Sequence, residues 1–369
     1  EIMPSLVGSE MCIRDRVCGA PIKVDRAHLK DGYAQAILVN SGNANTCAAN
    51  GVALAEECCA LVGEALHIPA EDVLPASTGV IGQVLPIEPI ITAVPTLVKE
   101  LDYGKNEEAA TAIMTTDTVK KEYAVEFQLD GKTCRLGGMA KGSGMIHPNM
   151  ATTLNFISTD CAISAEMLQQ ALSEIVKVTY NCLSIDGDTS TNDMVEIMAS
   201  GLAGNGEITA PGPALDTFKA ALYDVMANLT RMLAKDGEGA SKLLECVCSG
   251  APTKDTAIIV AKEVIGSTLF KCAMFGEDAN WGRVLCAIGY APAEFDIDKV
   301  DVALKSTAGT VTVCQNGAGV DFSEEEAAKV LAEDEIYILV DLNQGDEKAT
   351  AWGCDLTYDY VKINGDYRT

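Results

Sequence analysis

Histidine is almost missing from this chain: His28, His67 and His147 are the only three in 369 residues. A Ser-His-Asp device would have to recruit one of them, and none accompanies a G-x-S-x-G elbow. Basic residues are also scarce, with 27 Lys and Arg against 53 Asp and Glu and a formal net charge of −26. Binding a phosphate backbone needs clustered cations, so a nucleic-acid partner is excluded. An anionic membrane surface would repel such a chain, and the plain reading of its acidity is solubility. No apolar run approaches the roughly 20 residues of a membrane span, and no secretory signal is present, so the expected location is cytoplasmic. The 14 cysteines include no C-x-x-C. Cys246-x-Cys248 and Cys58-Cys59 lack histidine companions, which argues against zinc and for reduced thiols packed as small core residues. A phosphate loop is missing too, because Gly131-Lys132-Thr133 has Glu126 where the first glycine should stand. The acidic run 186–193 has the look of a calcium loop but lacks glycine at the sixth position and glutamate at the twelfth. It reads as a polar turn near the site, and neither metal nor cofactor is expected.

What is abundant is apolar: 48% of residues are hydrophobic, ample for two domains or one large one. Residues 35–40 read as a strand running into the Ser41-Gly42-Asn43 turn, 52–66 as a helix, and 73–82 as a short strand with a Ser-Thr-Gly turn. Residues 86–101 read as helical in parts, broken at Pro89 and Pro95. Strands 122–129 and 132–136 flank Asp130-Gly131, a two-residue hairpin signal. Ser164 caps a helix carrying Leu168, Leu172, Ile175 and Val176 on one face. Phe218, Leu222, Val225, Leu229 and Met232 form a second helical stripe, read as core. Residues 256–261, 309–314 and 335–341 read as strands, and Ser323-x-x-Glu326 as a capping box. The pattern predicts α+β or α/β architecture, with sheets layered between helices.

The run 141–160, KGSGMIHPNMATTLNFISTD, is the most informative. Gly137, Gly138, Gly142 and Gly144 loosen the chain before Pro148. The small-residue step Ala151-Thr152 follows, and then an alternating strand pattern from Thr153. A hydroxyl at the mouth of a strand can attack the preceding carbonyl. An N-to-O acyl shift and hydrolysis then free an N-terminal threonine. That residue carries nucleophile and base together, since its α-amine titrates at about 7.7–8.0. By spacing alone, an ordinary strand threonine is the commoner meaning. Thr78-Gly79 likewise reads as a plain turn or as a source of oxyanion donors. Glu238 reads as a surface carboxylate or as a partner for an amine. His147 reads as a loop side chain near the site.

SGNAN (41–45), STGVIG (77–82), AIMTTDT (112–118), GGMAKGSGMI (137–146), PNMAT (148–152), DGDTSTND (186–193), DGEGASK (236–242), NWGR (280–283) and INGDYRT (363–369) occur in one order. Together they resemble the glutamate N-acetyltransferase (ornithine acetyltransferase) family of arginine biosynthesis, from about residue 39 to the end. The resemblance implies stacked sheets between helix layers, akin to N-terminal-nucleophile hydrolases. It implies self-cleavage between Ala151 and Thr152 into α and β chains that stay together, commonly two of each. It also implies acetyl transfer from N-acetylornithine to glutamate through acetyl-Thr152; some members also accept acetyl-CoA. Thr78 (hydroxyl) and Gly79 (N–H) would form the oxyanion hole. Thr115, Lys141, Thr152, Glu238, Asn364 and Thr369 would contact substrate, with the Lys141 ammonium suited to its carboxylate. No metal or organic cofactor is implied. His147 stands where the family usually has a small residue.

The organisation expected from this is a non-native segment at 1–16, an α part at 17–151 and a β part at 152–369. Residues 1–16 do not match the family and resemble translated sequencing adapter. Family members begin with several dozen further residues, so the chain reads as a shortened form of its gene. Two other classes stay open: a self-processing aminopeptidase or amidase that passes the acyl group to water, and a non-catalytic acidic scaffold. Lys141, Glu238 and the INGDYRT tail favour transfer to an amino acid over hydrolysis.

Overall fold

The structure, a computed structural model, describes residues 5–11 (backbone alone), 17–147 and 153–366. It begins with β1 (Ser5–Met11), α1 (Ala20–His28), β2 (Tyr33–Ala34), β3 (Ala36–Asn40), α2 (Gly51–Leu66), β4 (Val73–Ser77) and α3 (Glu88–Lys99). Strands β3 and β4 pair in parallel as a small sheet of their own, joined by the helical crossover that parallel strands need. Val24, Ala55, Cys59, Val62 and Val94 of the three helices close over Val73. The breaks expected at Pro89 and Pro95 do not occur. Pro89 lies in the first turn of α3, where its missing N–H is harmless, and Pro95 is carried inside the helix. The hydrogen bond lost at Pro95 belongs to Ile91, an exposed residue, where water can replace it. Ile90, Val94 and Val98 meanwhile hold one face of α3 to the core.

Next come α4 (Asn106–Ala112), β5 (Lys121–Leu129), β6 (Lys132–Lys141), β7 (Leu154–Thr159), α5 (Ala165–Ile175), β8 (Leu183–Ser184), β9 (Met194–Ala199) and α6 (Pro213–Lys235). Between β5 and β6, Asp130 and Gly131 both take positive φ, 51° and 70°, as the tight hairpin turn demands. Ser164 Oγ accepts from Met167 N and starts α5. The remainder is β10 (Leu243–Ala251), α7 (Lys254–Gly266), α8 (Thr268–Phe275), α9 (Trp281–Gly289), β11 (Asp301–Ser306), β12 (Gly309–Gln315), β13 (Ala318–Gly319), α10 (Glu324–Leu331), β14 (Glu335–Asp341), β15 (Glu347–Cys354) and α11 (Tyr358–Asp366).

The strand expected at 256–261 is instead part of α7. Thr253 caps it, its Oγ1 accepting from Thr256 N at 3.1 Å. Burial falls on Thr256, Ala257, Val260, Ala261, Val264 and Ile265. That is helical spacing, but a six-residue apolar window is too short to reveal it.

Two large sheets result, ordered β2-β1-β9-β7-β6-β5 and β13-β12-β11-β14-β10-β15-β8. Helix α6 spans the gap. Phe218 meets Phe127 of β5 edge-on at 6.1 Å, while Arg231 Nε donates to Glu245 of β10 at 2.6 Å. Helices α5 and α6 with the inner faces of both sheets form one apolar core. The architecture is thus the expected layering of sheets and helices. Residues 5–11, within the segment set apart at 1–16, lie between β2 and β9, antiparallel to both.

One end of the six-stranded sheet gathers several of the segments singled out in the sequence. Lys141, Leu154 and Met194 stand in register there, at the end of β6 and the starts of β7 and β9. Glycine-rich and polar segments enter and leave the sheet at this edge.

Candidate active site

A cavity of about 320 Å³ opens at that edge. Thr78 and Gly79 reach it from the turn after β4, Thr115 from the loop after α4, and Lys141 from the end of β6. Glu238 arrives from just beyond α6 and Asn364 from α11. Ala151, Thr152 and Thr369 lie outside the described residues. Thr153, the next residue after the proposed nucleophile, is buried and lines the cavity.

Gly79 is fixed by crowding. Its φ is 121°, and a Cβ there would lie 2.6 Å from the backbone of Gly42. The segment 78–82 runs alongside 40–46, with Thr78 N donating to Asn40 O at 2.9 Å and Ala44 N to Val80 O at 2.9 Å. Among the described residues no backbone acceptor takes the Gly79 N–H.

Lys141 is buried, and its Nζ donates to Thr115 Oγ1 at 2.8 Å. Burial lowers its pKa, and the nearby Asp117 carboxylate opposes that fall. Burial raises the Asp117 carboxyl, but Lys121 and Lys141 outweigh it and leave the group below its ordinary value. Elsewhere in the lining Glu238 accepts from Asn364 Nδ2 at 2.8 Å, and its N–H donates to Ser143 O at 2.8 Å. A side chain at Gly144 would run into the Glu238 carboxylate, so glycine there keeps the cavity open. A cation on one wall and a carboxylate on another suit a small zwitterion or amino-acid derivative.

The motif DGDTSTND does more than turn the chain. Asp186 accepts from Met145 N at 2.6 Å and Ile146 N at 2.8 Å, and from Tyr360 Oη at 3.2 Å. Asn192 Nδ2 donates to Ala44 O at 2.6 Å and Ser77 O at 2.9 Å, and its Oδ1 accepts from Thr46 at 2.6 Å. One motif therefore ties down the glycine loop, the SGNAN turn, the STG turn and the C-terminal helix. The sequence offered it as a polar turn; its tethering role needed the partners to be known. Asp117 and Asp236 also sit inside quoted motifs, AIMTTDT and DGEGASK, without having been singled out.

His147 is absent from the described lining residues. Its Nδ1 lies 2.9 Å from Ser184 Oγ. Burial, helped by Lys262, holds its pKa down to about 4, so the ring is neutral near pH 7 and acts as packing.

The ArgJ family model matches residues 5–369. The arginine biosynthesis bifunctional protein ArgJ of Caldanaerobacter subterraneus subsp. tengcongensis is 49% identical, the match covering 96% of this chain and 88% of that protein. ArgJ 1 of Clostridium acetobutylicum is 48% identical over 96% of this chain and 87% of its own. Among solved structures, the crystal structure of ArgJ from Bacillus halodurans aligns with a TM-score of 0.54 at 45% identity. It covers 57% of this chain and 98% of that one.

Proposed function

The chain belongs to the ArgJ family, and from that premise we propose that it is a glutamate N-acetyltransferase working through acetyl-Thr152 after cleaving itself at Ala151-Thr152. The observation that carries this is convergence. Six of the nine residues that the family resemblance assigns to the site or the cut, Thr78, Gly79, Thr115, Lys141, Glu238 and Asn364, line one cavity, and the other three lie outside the described residues. They come from segments far apart in the chain.

In the processing step, Thr152 Oγ attacks the Ala151 carbonyl carbon and the peptide nitrogen leaves as the new α-amine. Water then cleaves the ester. In the transfer step that amine takes the hydroxyl proton as Oγ attacks the acetyl carbonyl of N-acetylornithine. The negative oxygen of the tetrahedral intermediate accepts from Thr78 Oγ1–H and Gly79 N–H. The C–N bond breaks, the protonated Thr152 amine returns its proton, and ornithine leaves. The α-amine of glutamate then attacks the ester, giving N-acetylglutamate and free Thr152. Lys141 holds the substrate carboxylate, and Glu238, bonded to Asn364, pairs with the side-chain amine of N-acetylornithine; Thr115 and Thr369 complete the contacts. No metal or cofactor takes part in these steps. The relatives' description as bifunctional extends the proposal to acetyl-CoA as a second donor.

The pieces 17–151 and 152–369 would stay together because β6 of the first and β7 of the second share a sheet, paired antiparallel from Leu136↔Thr159 to Lys141↔Leu154. Assembly as two α and two β chains, in the cytoplasm, belongs to the same proposal. No helix among the described residues is long and apolar enough to cross a membrane.

The test is a denaturing gel with N-terminal sequencing, followed by kinetics. Two pieces are expected, the larger beginning TTLNFISTD, and Thr152→Ala should stay whole. Rates at several fixed glutamate levels should give parallel double-reciprocal lines, with an acetylated larger piece detectable by mass. Cleavage that survives Thr152→Ala would defeat the mechanism. Acetylornithine consumed equally fast without glutamate would favour a hydrolase.

A further inference from the structure

Behind the Lys141 wall lies a charged cluster that the transfer chemistry above does not use. Lys121, at the start of β5, is fully buried, and its Nζ donates to Asp117 Oδ1 at 2.6 Å and Asp236 Oδ2 at 2.5 Å. We propose that this Asp117–Lys121–Asp236 cluster is the positioning element of the site, setting the Thr115–Lys141 wall against Glu238, with Asp117 supplying the negative charge that a buried Lys141 ammonium requires. The inference rests on the acetyl-transfer reading.

The grips are specific. Asp117 also accepts from Gly142 N at 2.7 Å and Thr115 N at 3.1 Å. One carboxylate thus fixes the residues on both sides of the Lys141–Thr115 hydrogen bond. Asp236 caps the end of α6, two residues before Glu238, and accepts from the N–H of Thr118 at 3.0 Å and of Val119 at 3.5 Å. The Thr118 hydroxyl donates to the same carboxylate. Lys121 therefore ties together the segments that carry Thr115 and Glu238. The cluster also bridges the proposed cut, since Asp117 and Lys121 precede Thr152 and Asp236 follows it. A buried ion cluster is weak evidence of stabilisation for its own sake, and here every further hydrogen bond lands on the segment that carries Thr115 or borders Lys141.

Among the described residues Lys141 donates to a hydroxyl, Thr115 Oγ1. The charged groups facing it are Asp117, Lys121, Glu238 and Asp193, of which Asp117 acts most strongly. Without Asp117, the ammonium would lose its proton at lower pH.

The test is Asp117→Asn in the processed, full enzyme, with kcat referred to the fraction of chains that can be acetylated. KM for N-acetylornithine and for glutamate should rise about tenfold, the loss of a charge-assisted contact, while kcat per acetylatable site changes much less. The pH at which KM begins to climb should fall. A general loss of structure would reduce the acetylatable fraction without moving that pH. Unchanged KM and an unmoved profile would overturn the inference. If Asp117→Asn does not fold, Asp236→Asn decides, because it keeps an acceptor oxygen and leaves the Asp117–Lys121 pair whole. There a raised KM with intact kcat supports the inference, and an unchanged KM overturns it. Failure of the acetyl-transfer reading would show separately, as a parent enzyme that never carries an acetyl group.

Discussion

Glu196 gives the sharpest quantitative prediction, because it is a carboxyl group buried with no hydrogen-bond donor among the described residues. It lies on β9, fully buried, and faces Asp25 of α1. Neither carboxyl finds a hydrogen-bond donor among the described residues. Burial pushes the Glu196 carboxyl up to about 8, and burial with Glu196 as neighbour also drives Asp25 upward. In the unfolded chain Glu196 ionises near 4.5, its ordinary value. Between those two values the folded state keeps a proton that the unfolded state releases. Stability is therefore full below pH 4.5 and falls as pH rises toward 8. At 1.36 kcal/mol per pH unit, that displacement is worth about 5 kcal/mol, a large part of the roughly 5–15 kcal/mol that holds an ordinary domain together. Glu196→Gln keeps the shape and removes the titration, and it takes away the negative neighbour that raises Asp25. The assay is urea unfolding at pH 5, 6, 7 and 8, in the Thr152→Ala background so that the chain is one piece. The parent should lose stability steadily over that range, and the glutamine variant much less. Parallel curves would refute the account and mean that the carboxylate is solvated or paired.

The remaining predictions concern the cavity. Thr78→Ala removes a donor to the transition state and should lower kcat by about 10²–10³ with KM little changed, whereas Lys141→Ala should chiefly raise KM; steady-state rates on confirmed two-piece enzyme separate the two. If Thr78→Ala moved KM alone, the oxyanion assignment would fail. Gly144→Ala should push the flexible Glu238 side chain aside, raising KM for N-acetylornithine while the thermal unfolding midpoint barely moves; a collapsed midpoint would show that backbone, and not Glu238, had to give way.

Much of this protein is determined by local chemistry, and that part is legible in the chain. The Asp130-Gly131 hairpin, the Ser164 and Ser323 caps and the 3.6-residue stripe of α6 each depend on a few neighbouring residues. Six of the residues named from the motifs also line one cavity. What failed was decided elsewhere. The run 256–261 is apolar enough for a strand, and only its continuation to Ile265, buried on a helical period, makes it α7. Pro95 stays inside α3 because tertiary contacts of Val94 outweigh one lost hydrogen bond. The cavity is a tertiary object, since the ends of β4, β6 and α6 meet only after the sheets have stacked. The same holds for the buried charges. Nothing around Lys121 in the sequence distinguishes it from an exposed lysine such as Lys120. Strand β5 turns Lys121 inward toward Asp117 and Asp236 while its neighbour faces Glu107 and Glu122 at the surface. Sequence sets the character of each residue, but the dielectric around a charge, and hence what that charge can do, depends on which distant segments come to cover it.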